Sequence, residues 1–431
     1  MSTTPWPLTA DADGGTWMLG GVPAADLAAA YGTPLWVVDE DDLRHRCRRY
    51  RDAFPGVDVA YAAKAWCAVG ILRIVVEEGL SVDVVSAGEL HTAAVADVPM
   101  ERVAFHGNNK SVAELEMALD LGVGRIAVDS FAELERLGAA AAARGITVPI
   151  WLRVTPGIDA HTHDYVRTGH DDSKFGFTLS LGLADEALRR ALDLPGVEVV
   201  GAHAHVGSQI FGTDAFVANA EVMLGLLARW RDQYGVTLGE LDLGGGMGIR
   251  YTHEDHPVTP ERYGASILEA VADACDRLDF PPPRLVIEPG RGIVGPSTVT
   301  LYTVGTVKAL DGLTTWVSVD GGMSDNIRPA LYGAEHEVAL VSRHSDAPPL
   351  PCAVVGKHCE SGDIVRERAT LPGDVAPGDL LAVAATGAYT ASMASNYNRL
   401  PRPAAVIVRA GEARLLQRRE TLDDIVARDV L

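Results

Sequence analysis

Residues with useful chemistry stand directly after apolar runs at several places in this 431-residue sequence. Lys64 follows the run ending in YAA, His205 lies in HAHVGSQ, and Glu288 begins EPGR. Three consecutive glycines, 244–246, follow LDL. A desolvated lysine is an amine nucleophile that can trap an aldehyde. Glycine backbone N–H groups can bind a phosphate, so these residue types predict a site for an aldehyde that carries an anionic group.

Each of these residues also has a purely structural interpretation. A lysine after an apolar run often extends along the protein surface, and a glycine run can be a plain tight turn. Taken alone, His205 is more often a hydrogen-bonded core histidine, and EPGR could be a turn with a surface ion pair. The elements that position these residues therefore decide between the two interpretations.

Eight short apolar runs alternate with alanine-rich stretches of helical spacing from residue 57 onward. The alternation predicts a (β/α)8 TIM-type barrel, whose parallel strands are buried on both faces. An open, doubly wound α/β sheet is the alternative, but no GxGxxG motif follows the first strand. The predicted strands are Val57–Lys64, Ser81–Ser86, Arg102–Gly107, Arg125–Ser130, Pro149–Val154, Val199–Gly207, Glu240–Gly246 and Arg284–Gly290.

In such a barrel the active site lies at the carboxyl ends of the strands. Lys64, His205, the glycines and Glu288 lie at the ends of the first, sixth, seventh and eighth predicted strands, so they should converge on one rim. Pyridoxal 5'-phosphate needs an aldehyde trap, an anion site and an acidic partner for its ring nitrogen. We therefore predict that this rim binds pyridoxal 5'-phosphate through Lys64.

The character of the sequence changes after Gly290. Helical periodicity fades, and short strands with turn signals such as TVTLYTVGTVKAL and DLLAVAATGAY follow. This pattern predicts a mostly antiparallel C-terminal β-domain. We predict three parts: an N-terminal segment, residues 1–40, with a strand that joins the β-domain, a barrel over residues 41–304, and a β-domain over residues 305–431.

Composition restricts the partners and the compartment. A net charge of −21 argues against nucleic acid or an anionic membrane surface as a partner. No run reaches the roughly 18–20 apolar residues of a membrane span, and the N-terminus lacks the pattern of a signal peptide. The five cysteines form no CxxC pair, which fits a reducing compartment and argues against a zinc site. We expect a cytoplasmic protein without a metal.

Motifs spread over most of the chain carry a specific resemblance. In chain order they are YAAKA, VDVVSAGEL, FHGNNKS, DAHTHDYVRTGHDDSKFG, HAHVGSQ, LGGGMGI, EPGR, DGGMSDNIRPALYGA, CESGD, GAY and NYNRLPRP. In combination they resemble the alanine-racemase-type, or fold-type III, pyridoxal-phosphate enzymes, and among them the diaminopimelate decarboxylase family. The resemblance implies decarboxylation of meso-2,6-diaminopimelate to L-lysine and CO2, the last step of lysine biosynthesis.

The resemblance also implies a role for each matching residue. Lys64 would carry the cofactor, His205 would stack on its ring, and Glu288 would pair with its ring nitrogen. Cys359 would give a proton to the carbon that loses CO2. The implied cofactor-binding set is Lys64, His205, Ser208, Gly245, Gly246, Glu288, Pro289, Gly290, Arg291 and Tyr389. The implied substrate-binding set is Arg291, Arg328, Tyr332, Glu360 and Tyr389.

In this family Cys359 and Glu360 come from the partner subunit, so the resemblance implies a homodimer with shared active sites. Two alternatives stay open. The substrate could be a different amino acid, such as ornithine, arginine, carboxynorspermidine or a carrier-bound glutamyl group. The chain could also bind the cofactor without catalysis, although proteins of that kind resemble a barrel that lacks the β-domain.

Overall fold

The computed structural model describes residues 4–12, 16–158 and 172–430. Two compact units make up the chain. The barrel unit comprises Cys47–Gly248 and Pro257–Gly290, and the sheet unit comprises Met1–Arg46, Ile249–His256 and Arg291–Leu431. The predicted boundaries at residues 40 and 304 stay a prediction.

The elements follow one another in βα alternation through the first two thirds of the chain. The strands are β1 Met18–Leu19, β2 Val22–Pro23, β3 Leu35–Asp39, β4 Asp58–Ala62, β5 Ser81–Val84, β6 Val103–Phe105, β7 Arg125–Val128, β8 Val148–Thr155, β9 Phe177–Thr178, β10 Val197–His203, β11 Glu240–Asp242, β12 Arg284–Ile287, β13 Thr298–Lys308, β14 Trp316–Val319, β15 Val338–Leu340, β16 Pro349–Val355, β17 Ile364–Pro372, β18 Leu380–Val383, β19 Ala404–Arg409 and β20 Glu412–Gln417. The α-helices are α1 Ala24–Tyr31, α2 Glu40–Ala53, α3 Val69–Glu77, α4 Ala87–Val95, α5 Val112–Leu121, α6 Phe131–Ala143, α7 Leu183–Leu192, α8 Asp214–Tyr234, α9 Pro260–Leu278, α10 Arg291–Val294, α11 Arg328–Tyr332 and α12 Leu422–Val426.

The barrel unit contains a closed parallel sheet. Its strands pair in the order β4, β5, β6, β7, β8, β10, β11, β12, and β12 pairs again with β4. The short strand β9 pairs in parallel with the last residues of β8. All eight predicted strands are present, and the predicted TIM-type barrel is confirmed. Near-continuous apolar runs form these strands because the helices cover one face and the barrel interior covers the other.

Small residues make room inside the barrel. Ala60, Ala104, Ala127 and Val286 pack around Trp151 in one interior cluster. The indole Nε1 of Trp151 donates a hydrogen bond to Glu240 at 2.7 Å, which satisfies the polar atom of this buried ring. Side-chain volume therefore fills the barrel, and the reactive residues lie beyond the strands rather than within them.

Several serines at the strand ends start the next helix. The Ser86 and Ser130 hydroxyls accept hydrogen bonds from backbone N–H groups in the first turns of α4 and α6. Ser111 and Glu114 form a capping box at the start of α5. Such caps stabilise a helix by about 1 kcal/mol each. Ser86, a polar residue at the end of a predicted strand, is thus a helix cap.

The sheet unit is built on a mixed but mostly antiparallel sheet, as predicted. Its strands run in the order β17, β16, β14, β13, β3, β19, β20, and β18 pairs with both β13 and β15. The N-terminal strand β3 pairs antiparallel with β13 and parallel with β19. Two groups of buried apolar side chains form the core of this unit. Among the described residues, no helix has the length and apolar character needed to cross a membrane.

Candidate active site

Lys64 lies in a single 3-10 turn, Ala63–Ala65, directly after strand β4. Its Nζ atom lies 3.8 Å from Oδ2 of Asp83, a buried residue of the neighbouring strand β5. The Lys64 side chain is 37% exposed. A small molecule can therefore reach an amine that lies beside a buried carboxyl group at the end of the strand.

The other lysines differ from Lys64. Of the five lysines in the chain, Lys110 is buried and donates to two backbone carbonyl oxygens and to Glu133 at 2.6–2.8 Å. Those three bonds use all the hydrogens of an ammonium group, so Lys110 is a structural residue. The remaining three are exposed: Lys174, Lys308 and Lys357. Lys64 combines partial exposure with a position at the end of a barrel strand.

Glu288 lies just beyond strand β12 and is buried beside two histidines. One carboxylate oxygen is 2.8 Å from His106 Nε2, and the other is 3.5 Å from His203 Nε2. Burial raises the pKa of Glu288, but the adjacent His106 and His203 outweigh burial and hold the pKa well below its usual value. Burial lowers the pKa of His203 to about 3. Glu288 is thus an ionised carboxylate at neutral pH, beside a neutral His203 imidazole.

Two further buried carboxyl groups, Asp83 and Asp242, surround Glu288. Burial and, next, the charge of Glu288 raise the pKa of Asp83, and they raise the pKa of Asp242 well above its usual value. One oxygen of Asp242 accepts the Gly244 N–H at 2.8 Å. A cluster of like charges retains protons on some members, so the negative charge of this group concentrates on Glu288.

The glycine run after strand β11 packs too tightly for any side chain. A Cβ atom on Gly245 would lie 2.0 Å from the Glu288 carbonyl oxygen, and one on Gly246 would lie 2.1 Å from the Gly207 carbonyl oxygen. Gly246 also has a φ of +120°, which L side chains rarely adopt. The Gly245 N–H donates to Nδ1 of His205 at 3.2 Å. The glycines therefore bring three strand ends together and orient the His205 ring.

Burial lowers the pKa of His205 well below its usual value, and the charge of Lys64 lowers it further. His205 is accordingly a neutral ring whose Nδ1 accepts a backbone hydrogen bond. That bond fixes the ring orientation. A neutral, oriented aromatic ring at the rim of the barrel is suited to stacking on a flat ligand.

The sheet unit contains two buried arginines among aromatic rings. Arg291 donates a hydrogen bond from Nη1 to the Tyr251 hydroxyl, and its guanidinium carbon lies 4.8 Å from the ring centre of Tyr389. Arg328 lies 4.9 Å from the ring centre of Tyr251 and 5.5 Å from that of Tyr332. Arg328 forms no ion pair with a carboxylate in the described parts of the chain, and its buried Nε atom has no hydrogen-bond partner there. Because a buried charge without a counterion is costly, the cluster is suited to binding an anion.

The CESGD motif forms an exposed turn between β16 and β17. The backbone N–H of Cys359 donates to Asn398 at 2.9 Å. Asp363 accepts from the backbone N–H of His358 at 2.8 Å and lies 2.7 Å from its ring, which stacks on Tyr397 at 5.6 Å. The thiol of Cys359 and the carboxylate of Glu360 are exposed on this anchored turn.

The structure divides the predicted site residues between the two units. The barrel unit contains Lys64, His205, Ser208, Gly245, Gly246, Glu288, Pro289 and Gly290, and the sheet unit contains Arg291, Arg328, Tyr332, Cys359, Glu360 and Tyr389. Residues 159–171, which carry most of the DAHTHDYVRTGHDDSKFG motif, lie outside the described residues.

Sequence reasoning missed four residues that contact these groups. Asp83 is the one charged residue of the buried strand SVDV, and a lone charge in such a strand is a usable signal. Asp242 ends the short strand ELD, which also contains Glu240, so its signal is weaker. Tyr251 and His336 lie in loops and carry no such signal. Their place in the arginine cluster depends on contacts between residues far apart in the sequence.

Comparison with known proteins supports the same chemistry. The family of pyridoxal-dependent decarboxylases, through its pyridoxal binding domain, matches residues 40–295. A diaminopimelate decarboxylase of Mycobacterium tuberculosis is 49% identical over 435 residues, which cover 99% of this chain and 97% of that protein. The corresponding protein of Bacillus subtilis is 48% identical over 416 residues, covering 96% and 94%. The crystal structure of diaminopimelate decarboxylase from M. jannaschii in complex with L-lysine has a TM-score of 0.93, 32% identity and 98% coverage of each chain.

The barrel and the match to the pyridoxal binding domain identify the chain as a pyridoxal-phosphate-dependent decarboxylase. The similarity to diaminopimelate decarboxylases over nearly the full length identifies the family within this class of enzyme. The chain belongs to the diaminopimelate decarboxylase family.

The residues in the barrel unit fit pyridoxal phosphate. Gly245 and Gly246 form a backbone turn that a Cβ would fill, Glu288 is an ionised carboxylate, and Lys64 presents an accessible amine. An amine, a glycine turn and a carboxylate are the three groups that this cofactor requires.

Proposed function

We propose that the protein removes CO2 from meso-2,6-diaminopimelate and releases L-lysine. The buried Arg328, which has no carboxylate partner among the described residues, carries the proposal with its neighbour Arg291. Planar guanidinium groups suit bidentate binding of a carboxylate. Diaminopimelate has a second carboxylate that can bind to this arginine cluster. Ornithine and arginine lack such a carboxylate, so they cannot bind there in the same way.

The proposed cofactor-binding residues come mostly from the barrel unit. Lys64 would hold the cofactor covalently, Glu288 would pair with its ring nitrogen, and His205 would stack on its ring. Ser208, Gly245 and Gly246 would hold the phosphate together with Tyr389 of the sheet unit, and the set is completed by Pro289, Gly290 and, from the sheet unit, Arg291. When bound, pyridoxal phosphate accepts the electron pair that remains after CO2 leaves. The ionised state of Glu288 and the low exposure of its surroundings support its task.

The sheet unit supplies the substrate contacts. Arg291, Arg328 and Tyr332 bind the distal carboxylate, and Glu360 binds the distal amine. The Cys359 thiol gives a proton to the carbon atom that has lost CO2. Exposure of Cys359 and Glu360 on an anchored turn supports a role in which a homodimer's partner subunit supplies both residues.

We also propose that the protein works in the cytoplasm. All five cysteines are free, and Cys359 is an exposed thiol. A reducing compartment preserves such a thiol.

The proposal is tested by measuring lysine and CO2 release from meso-diaminopimelate with added pyridoxal phosphate. Ornithine, arginine and the LL isomer of diaminopimelate serve as controls. We expect turnover of the meso isomer and none of the controls, because sites built on hydrogen bonds reject analogues that leave them unpaired. Turnover of ornithine or arginine instead would contradict the proposed substrate. If none of the four compounds reacts although the cofactor is bound, the proposed substrate is wrong, and the remaining candidates are carboxynorspermidine and a carrier-bound glutamyl group.

A further inference from the structure

Tyr251 occupies the centre of the arginine cluster in the sheet unit. Its side chain is 4% exposed. Its backbone N–H donates to Asp255 at 2.9 Å, and its carbonyl oxygen accepts from the Glu337 N–H at 2.9 Å. Its ring meets the His336 ring edge-on, with centres 4.9 Å apart. The backbone bonds and the ring contact leave Tyr251 with one well-defined position.

Both arginines contact Tyr251, and only Arg291 has a hydrogen bond to its hydroxyl. The guanidinium carbon of Arg291 also lies 5.9 Å from the ring centre of Tyr251, and that of Arg328 lies closer to it, at 4.9 Å. A guanidinium over an aromatic face is attracted by the ring quadrupole. Tyr251 therefore holds two like charges near each other, an arrangement that two arginines alone would oppose.

The His336 ring, which packs against Tyr251, adds no charge to the cluster. Burial lowers the pKa of His336 to about 3, and its Nδ1 lies 2.8 Å from the Ala384 carbonyl oxygen, so the imidazole is neutral. Burial also lowers the pKa of Arg328, and the charge of Arg291 adds to that effect. The cluster is therefore positive and walled by rings, which favours a planar anion such as a carboxylate.

Ordinary packing would explain the buried ring of Tyr251 but not its hydroxyl. A phenylalanine would fill the same volume, whereas the hydroxyl fixes one nitrogen of Arg291. We propose that Tyr251 is a positioning residue that orients Arg291 and Arg328 toward the distal carboxylate of the substrate, and that it thereby sets the preference for substrates with a second carboxylate. This inference rests on the proposed function.

The test compares Tyr251→Phe with Tyr31→Phe as a matched control. Tyr31 also belongs to the sheet unit, and its hydroxyl donates to Ala413 at 3.2 Å, away from the cluster. For each variant we would measure kcat and KM for meso-diaminopimelate and inhibition by pimelate, a seven-carbon dicarboxylate without amines. Cofactor absorbance and thermal unfolding confirm loading and folding.

We expect Tyr251→Phe to raise KM and the inhibition constant of pimelate about tenfold or more, the effect of losing a hydrogen bond to a charged group. The kcat should change less than KM, and Tyr31→Phe should match the wild type. Unchanged KM and pimelate inhibition, or a loss confined to kcat, would overturn the inference.

Two further measurements keep the outcomes separate. If the wild type does not turn over meso-diaminopimelate, the proposed function fails, while calorimetric binding of pimelate to wild type and Tyr251→Phe still tests Tyr251. If Tyr251→Phe does not fold, Tyr251→His and Tyr251→Leu replace it. The histidine keeps an aromatic ring with a polar nitrogen, so it should bind pimelate more tightly than the leucine variant. Equal binding by these two would contradict the role of Tyr251.

Discussion

The strand ends of the barrel unit and the arginine cluster of the sheet unit differ in how their buried polar groups are paired. At the strand ends of the barrel, basic groups lie beside acidic groups of the protein: Lys64 lies 3.8 Å from the Asp83 carboxyl group, and Arg153 lies 3.5 Å from Asp129. In the arginine cluster, Arg328 lies against tyrosine rings, forms no ion pair with a carboxylate in the described parts of the chain, and has a buried Nε atom without a hydrogen-bond partner there.

The difference separates two kinds of site. Charges that are paired within the protein need no ligand to be stable, and they orient a bound group through short contacts. A buried arginine that lacks a counterion is costly until an anion binds. In the proposed function, the barrel unit accordingly holds the cofactor in one orientation, and the sheet unit selects the substrate by charge.

Replacing Lys64 should have the largest effect. Lys64→Ala removes the covalent attachment, so turnover should fall by roughly 10³-fold or more, as for other covalent nucleophiles. The visible absorbance band of the lysine-linked cofactor should disappear. Lys308→Ala, which alters an exposed lysine, is the control and should keep both properties. A Lys64→Ala protein that retains the band would exclude the attachment.

Replacing Cys359 should be the next most severe change. Cys359→Ala removes the proton donor, so turnover should fall by about 10²–10⁴-fold, the usual contribution of a general acid. Cofactor absorbance should be unchanged because the barrel unit is intact. Normal turnover would remove Cys359 from the reaction.

Mixing Lys64→Ala and Cys359→Ala chains tests whether subunits share their sites. In a mixed dimer, one of the two sites would be fully intact, so part of the activity should return. Activity is measured after subunit exchange has been confirmed with tagged chains. Exchange without any recovery would argue against the homodimer with shared sites.

A conservative change of Arg328 probes the sheet unit alone. Arg328→Lys keeps the charge but loses the planar fork, so KM for meso-diaminopimelate should rise about tenfold, the effect of a bond to a charged group. The matched control is Arg343→Lys, because Arg343 is paired with Asp379 and Asp374 at 2.8–2.9 Å. Equal KM values for Arg328→Lys and Arg343→Lys would contradict the claim that Arg328, and not the paired Arg343, binds the substrate.

Replacing Asp325 should have the smallest effect of these changes, and the effect concerns how the free energy of unfolding depends on pH. Burial raises its pKa to about 7 in the sheet unit. The unfolded carboxyl ionises near its ordinary pKa of about 4, so the folded state binds more protons between pH 4 and pH 7. Stability therefore falls across this window as pH rises, with a slope of at most about 1.4 kcal/mol per pH unit.

Unfolding of Asp325→Asn against urea at several pH values measures this slope. The variant should show less loss of stability than the wild type between pH 4 and pH 7. Asp346→Asn, at an exposed position, is the control. Parallel pH profiles for Asp325→Asn and the wild type would contradict the raised pKa.

Sequence reasoning predicts the barrel because its strands are buried on both faces, which requires nearly continuous apolar runs. Strands β4 and β12 show why the site follows: they pair in parallel, and a parallel barrel places every strand end on one rim, so Lys64 and Glu288 converge whatever their separation in sequence. The roles of the individual residues remain predictions.

Other features of the site depend on three-dimensional contacts that no local pattern encodes. The raised pKa of Asp242 follows from its burial and, next, from the charge of Glu288. Tyr251 reaches Arg291 and Arg328 across long stretches of sequence. Ser86 looks like a polar residue of the rim, yet its hydroxyl caps a helix.

The attachment of the cofactor to Lys64 is the central claim, and chemical trapping tests it most directly. The loaded protein is reduced with borohydride, digested, and its peptides are identified by mass spectrometry. The pyridoxyl group should be found on the peptide that contains Lys64 and on no peptide that contains another of the five lysines. A pyridoxyl group on Lys110 or on an exposed lysine, with Lys64 unmodified, would contradict the account.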